Sequence, residues 1–197
     1  MKLTKKRKSN KKRKSNKKRN NKQKKGGGMV YKLNGTFEKT DELFEGKEIF
    51  RKITTSQREI EICKILMNNP NENIVQIYRI IKPNPESKET YIDMELLNTK
   101  LDNINIEQIK IIMEHVKDFL HSLGIMYIDW KPDNTGIGSD GKLKLFDFDV
   151  SGLIDTTSQE WIIRAPTLYY SYKTAVSMGA KTPIEIDNLA FEFGFNE

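Results

Sequence analysis

The sequence predicts an α+β fold of two lobes, a small antiparallel β lobe carrying one helix and then a mainly helical lobe. Three observations predict it. Residues 30–97 hold short apolar runs of strand length, broken by turn signals, with one stretch of helical length among them. Residues 106–123 then place apolar side chains at helical spacing without a break. After that helix comes an aperiodic polar string, Tyr127-Ile128-Asp129-Trp130-Lys131-Pro132-Asp133-Asn134, followed thirteen positions later by Asp147.

In chain order, residues 30–33 and 36–39 flank Asn34-Gly35, a pair that tolerates positive φ and so favours a two-residue hairpin. Residues 47–53 read as a third strand. Residues 56–67 read as a helix, because the hydroxyl-rich run Thr54-Thr55-Ser56 offers a capping oxygen at its start. Two more strands fit residues 74–81 and 91–97, separated by a loop with Pro83 and Pro85. Within 106–123, Ile109, Ile112, Met113, Val116, Phe119 and Leu120 make one apolar face. Asp140-Gly141 marks a turn before Asp147.

The spacing from Asp129 to Asp147 collects two carboxylates, a lysine and a carboxamide, the set that suits a metal-bound triphosphate. Phosphoryl transfer is therefore the leading chemistry. A polar loop followed by a hairpin would use the same turn-forming residues, but the complete D-x-K-P-x-N string argues against that reading.

The flanks extend the pattern. Leu120-His121-Ser122-Leu123-Gly124-Ile125 precedes the string, Arg58-Glu59-Ile60-Glu61-Ile62 and Asn73-Ile74-Val75-Gln76-Ile77-Tyr78 lie upstream, and Arg164-Ala165-Pro166 and Glu185-Ile186-Asp187-Asn188-Leu189-Ala190-Phe191 lie downstream. Over about residues 30–195 these runs, in this order, resemble the eukaryotic-type serine/threonine protein kinases, in a minimal divergent form similar to those encoded by large DNA viruses. The resemblance implies a protein-kinase-like two-lobed fold with an N-lobe over about 29–97 and a C-lobe over about 98–197, truncated after the family's F-helix, which Asp187 is expected to begin.

It also implies roles. Asp129 becomes the catalytic base, Lys131 neutralises charge on the transferred group, and Asn134 and Asp147 hold magnesium. Met94 becomes the gatekeeper of a nucleotide pocket, with Glu95, Leu96 and Leu97 offering backbone groups to the adenine of ATP. Lys52 becomes the phosphate-positioning lysine held by Glu59. Seven residues separate that pair, so the helix has to begin almost at once; Lys47 is the alternative lysine. ATP and Mg²⁺ are the implied cofactors and an unidentified protein the implied substrate.

Four departures from the family pattern stand out. No G-x-G-x-x-G loop covers the phosphates, Tyr127 and Ile128 replace the His and Arg of H-R-D, Asp149 replaces the Gly of D-F-G, and Thr167 replaces the Glu of A-P-E. Without the Arg there is no evident partner for an activation-loop phosphate. Only ten residues follow Asp187, so Leu189, Phe191, Phe193 and Phe195 need cover from the catalytic lobe or a partner. A pseudokinase acting as a binding scaffold and a small-molecule kinase of the aminoglycoside or sugar type remain the alternatives to an active protein kinase.

Charge divides the chain sharply. Residues 1–25 carry +15 of a net +7, which leaves −8 on the remainder, and they contain the repeat Lys5-Lys6-Arg7-Lys8-Ser9-Asn10, Lys11-Lys12-Arg13-Lys14-Ser15-Asn16. Residues 1–28 are therefore expected to be a disordered low-complexity tail ahead of one kinase-like domain over 29–197. Such a cluster suits nuclear import, virion association or nonspecific contact with nucleic acid, the last being salt-sensitive through counterion release. Deleting residues 1–28 tests this: unchanged localisation and unchanged nucleic-acid affinity would exclude both roles. The single cysteine, Cys63, sits among apolar residues and is expected in the core. No apolar stretch has the length of a bilayer span, so a soluble intracellular protein with no membrane contact is expected.

Overall fold

The computed structural model describes residues 24–25, 28–32, 48–101 and 104–195. The expected Asn34-Gly35 hairpin with its strand at 36–39, the alternative lysine Lys47, and residues 1–23 of the basic tail lie outside the described residues.

Five strands build the first lobe: β1 (Lys24–Lys25), β2 (Gly28–Lys32), β3 (Glu48–Thr54), β4 (Ile77–Ile81) and β5 (Thr90–Glu95). They form one antiparallel sheet in the order β1-β2-β3-β5-β4. Between β3 and β4 lies helix α1 (Gln57–Asn68), which Ser56 caps by accepting the Glu59 N–H on its hydroxyl at 3.3 Å. The strand alternation sends Phe50 and Lys52 to one face and Arg51 to the other. On that second face the fully buried Asp93 receives Arg51 at 2.5 and 2.7 Å and Arg79 at 3.0 and 3.1 Å. Two cations for one carboxylate compensate the desolvation of burying it.

Residues 24–25 and 28, expected within the disordered tail, stand instead in β1 and β2, paired with each other in the sheet. Two further strand expectations are corrected. The strand expected from Ile74 starts only at Ile77, because the preceding backbone is taken by the other lobe: Val75 N–H donates to Leu145 O at 2.9 Å and Leu145 N–H to Asn73 O at 2.8 Å. Likewise the strand expected through Leu97 ends at Glu95, and Asn98 instead exchanges both backbone bonds with Ile137 at 2.9 Å each. Both departures tie the sheet to the second lobe.

That lobe contains α2 (Ile106–Ser122), the short strands β6 (Ile125–Met126), β7 (Thr135–Ile137), β8 (Leu143–Leu145), β9 (Gly152–Ile154) and β10 (Trp161–Ile163), and then α3 (Tyr170–Ser177) and α4 (Pro183–Gly194). The Asp140-Gly141 turn joins β7 to β8, with Gly141 at φ 78° where a side chain is disfavoured. Helix α4 starts four residues before Asp187, contrary to expectation. Thr182 and Glu185 form a reciprocal capping box and Pro183 presets the first turn, so Asp187 falls inside the helix on its buried face.

One apolar core runs through both lobes, from Ile62, Cys63 and Leu66 of α1 through Met94, Leu120, Tyr127 and Phe148 to Phe191 and Phe195. Phe191 meets the Trp130 ring at 5.1 Å and Phe195 at 5.1 Å, so the second lobe supplies their cover. A second cluster, including Met126, Ile128, Tyr172 and Ile186, packs α3 and α4 beneath the polar string. No helix among the described residues is long and apolar enough to cross a membrane.

Candidate active site

The loop after β6 is held in an unusual shape. Asp129 N–H bonds back to Tyr127 O at 2.9 Å, closing a tight turn around Ile128, whose φ is 72°. A β-branched residue there is a conformational outlier costing on the order of 1–3 kcal/mol. Asp187 of α4 holds it. One of its oxygens accepts the Ile128 N–H at 2.7 Å and the Trp130 indole N–H at 2.9 Å, while the other pairs with His121 at 2.7 Å. Helix α4 comes this close because residue 194 is glycine: a Cβ there would stand 1.7 Å from Trp130 O.

The turn delivers Asp129, a buried carboxylate with a crowded set of donors. Lys131 Nζ lies 3.0 and 2.8 Å from its two oxygens, Asn134 Nδ2 donates to Oδ2 at 2.8 Å, and the Tyr169 hydroxyl donates to Oδ1 at 2.6 Å. Burial lowers the pKa of Lys131, but its bond to Asp129 outweighs this and holds the ammonium above its ordinary range. Burial, with Asp129 beside it, pushes the Tyr169 phenol up to about 12, so the phenol stays a protonated donor.

The second cluster crosses the lobes. Lys52 Nζ lies 2.5 Å from Glu59 and 2.5 Å from Asp147. Burial opposes the charge on Lys52, and the two carboxylates outweigh it, so the lysine is held well above its usual value. Glu59 is the third residue of α1, so the helix does begin soon enough for a seven-residue separation; its other carboxylate oxygen is buried with no hydrogen-bond partner. Asp147 itself has φ 67°, a left-handed conformation that Asp tolerates better than most. The backbone carbonyl of Asp149 receives the Arg58 guanidinium at 2.8 Å, which fastens α1 to this segment, and the Asp149 side chain is exposed.

Tyr127 and Phe148 join the clusters. Their rings meet edge to face at 5.3 Å, and the Tyr127 hydroxyl donates to Phe146 O at 2.5 Å. Burial raises this phenol far above its usual pKa, so it acts only as a neutral donor. Cys63, 1 % exposed, has its thiol pushed up by burial and by the Glu59 charge, which makes it a core residue and a poor nucleophile.

A cavity of about 380 Å³ opens between the lobes. The sheet contributes Phe50, Lys52, Met94 and Glu95, the connection contributes Leu96, Leu97 and Thr99, and the second lobe contributes Asp133, Asn134, Phe146 and Asp147. Met94 is buried at the cavity wall between Phe50 and Ile77 in the sheet. Glu95 has its amide engaged with Gln76 O at 2.9 Å, and its carboxylate turns away to Lys144 at 2.9 Å and the Ser139 N–H at 3.1 Å. Among the candidates, Lys52, residues 94–97, Asn134 and Asp147 thus line the cavity. Asp129 and Lys131 stand beside it, linked through Asn134, and Glu59 stands behind Lys52.

Three contributors escaped sequence reasoning. Asp187 read as a helix start, and nothing local shows its bonds to residues about sixty positions away. Tyr169 lies in Leu168-Tyr169-Tyr170, where sequence does not say which ring turns inward. Phe50 was detectable, since it precedes Lys52 by two positions and therefore shares its strand face.

Comparison with known proteins points to a family. The protein-family profile described as "Protein kinase domain" matches residues 26–176. Similar relatives include serine/threonine-protein kinase NLK2 of Xenopus laevis, 23% identical over 68% of this chain and 32% of that protein. Mitogen-activated protein kinase homolog NTF6 of Nicotiana tabacum is 30% identical over 57% of this chain and 35% of that protein. Mitogen-activated protein kinase 14 of Xenopus laevis is 26% identical over 61% of this chain and 36% of that protein. The chain therefore spans about a third of the length of the curated relatives it matches.

Proposed function

Because this chain belongs to the protein kinase domain family, we propose that it transfers the γ-phosphoryl group of ATP to serine or threonine hydroxyls of a protein, with Asp129 as the catalytic base. The observation that carries the reading is the convergence of Lys52, Asn134 and Asp147 on one cavity with Asp129 and Lys131 at its edge. The Ser/Thr acceptor class rests on the D-x-K-P-x-N pattern and on relatives whose names state it.

Asp129 is the carboxylate that would take the proton of an acceptor hydroxyl as that hydroxyl attacks. Lys131, bonded to both oxygens of Asp129, keeps that carboxylate oriented and places a positive charge beside the group in transfer. Lys52 is preset by Glu59 and Asp147 and reaches the cavity from the sheet side as the phosphate-positioning cation. Asn134 gives its amide N–H groups to Asp129, which leaves its Oδ1 as a neutral oxygen ligand, and Asp147 adds a carboxylate; this pair fits magnesium, a cation that prefers oxygen. Magnesium there would neutralise charge on the phosphates. Phe50, Met94 and residues 95–97 would hold the adenine, with the Glu95 amide already engaged and so unavailable to it.

The test is transfer of radiolabel from γ-labelled ATP to a generic serine- and threonine-bearing acceptor, with magnesium and with excess chelator. Label on Ser or Thr that disappears on chelation is the expected result. Nucleotide binding with no transfer under any condition would instead identify a scaffold of the same fold.

A further inference from the structure

Tyr169 puts a hydroxyl where this chemistry needs one. Its Oη donates to Asp129 Oδ1 at 2.6 Å, and Lys131 Nζ approaches the same oxygen at 3.0 Å. A general base has to stand about 2.6–3.2 Å from the oxygen whose proton it removes, and this phenol meets that condition with no foreign acceptor present.

The placement is built by the fold. Tyr169 N–H donates to Pro166 O at 3.0 Å, and its carbonyl accepts the Lys173 N–H at 3.0 Å as the cap of α3. Its neighbours Leu168 and Tyr170 are 80% and 70% exposed, whereas the Tyr169 ring turns inward and packs on the cluster holding Met126, Ile128 and Tyr172. That cluster also anchors the strained turn at Ile128, so acceptor and base are positioned by one piece of structure. Meanwhile the cavity lined by Lys52, Asn134 and Asp147 remains open beside the ring, and Tyr169 is not among the residues lining it. The phenol therefore occupies the acceptor position without filling the nucleotide's space.

Resting on the phosphoryl-transfer reading above, we propose that Tyr169 is a modification site of this chain, phosphorylated in cis by its own active site. Tyr169 Oη forms a bond to the γ-phosphorus of ATP while the bond from that phosphorus to the β–γ bridging oxygen breaks, its electron pair leaving with ADP. The phenolic proton passes to Asp129 Oδ1 and then to solvent. Tethering explains how a site suited to Ser and Thr accepts a tyrosine: a preplaced group reacts with an effective concentration that no free tyrosine side chain reaches. The product adds a charge of about −1.5 to −2 next to Asp129. That charge is repelled by Asp129 and attracted by the Lys131 ammonium at the same carboxylate oxygen.

The experiment uses the full chain, prepared unmodified by coexpression with a phosphatase, incubated with magnesium and ATP in the presence of a generic Ser/Thr acceptor. Phosphate is located by peptide mass spectrometry. One phosphate per chain at Tyr169, gained at a rate per molecule that does not change on dilution and lost in Tyr169→Phe, is expected. Labelled acceptor with unmodified Tyr169 overturns the proposal and leaves the kinase reading standing. A rate that rises with protein concentration overturns the cis assignment. Absence of label on both acceptor and chain overturns the kinase reading and this proposal with it.

Discussion

Asp129→Ala lowers the transfer rate by roughly 10²–10⁴-fold, the usual contribution of a positioned general base. Nucleotide binding should hardly change, because Asp129 does not line the cavity and the Lys52–Glu59–Asp147 cluster is untouched. The fold should also survive. Asn134 keeps its second bond, from Nδ2 to the residue 129 backbone carbonyl at 2.8 Å, and Lys131, being part-exposed, turns to water. Two measurements check this on one preparation: nucleotide affinity by titration and steady-state transfer to a Ser/Thr acceptor. Unchanged affinity with the rate within about tenfold of the parent would remove Asp129 from the role of base.

Asp187→Ala should damage both stability and turnover, although residue 187 lies outside the cavity. The substitution leaves the Ile128 amide and the Trp130 indole N–H buried without an acceptor, at about 1–3 kcal/mol each. It also removes the restraint on Ile128 at φ 72°, so the turn relaxes toward an ordinary conformation and carries Asp129 with it. A displacement of about 1 Å at a reacting group costs on the order of 10²-fold in rate. Denaturant unfolding should show a loss of about 2–6 kcal/mol, the sum for two orphaned donors. Asp187→Asn separates the effects, because its amide oxygen still accepts both donors. It should recover most of the rate, and an alanine variant as active as the parent would show that the turn holds itself.

How much of this was legible depended on sequence distance. The helix at 106–122 was readable because its apolar period is local, and four of its six proposed inward residues, Ile109, Met113, Val116 and Leu120, are buried. The polar string was readable because Asp129, Lys131 and Asn134 lie within six positions of one another, and Asn134 bonds Asp129 directly. Tertiary competition blurred the rest. Residues 74–75 carry strand-forming side chains and Leu96-Leu97 prolong an apolar run, yet the backbones of Val75 and Asn98 bond to β8 and β7 of the other lobe, a choice no local pattern encodes. The start of α4 is set by the local Thr182-Pro183-Ile184-Glu185 capping signal and not by Asp187, whose bonds are to distant residues. Tyr169 and Asp129 stand forty positions apart, and only the finished fold brings them together.

The apolar cluster that passes from α1 through Tyr127 and Phe148 to α4 makes the two lobes one thermodynamic unit. Separated at the 96–98 connection, each half would expose the other's partners: Ile62, Cys63 and Met94 on one side, Leu120, Tyr127 and Phe148 on the other. Each half then loses apolar burial that offsets its chain entropy. The arrangement of Lys52, Glu59 and Asp147 across the cleft therefore depends on both halves. Fragments complementing each other in solution would have to rebuild the core before they could rebuild the cleft.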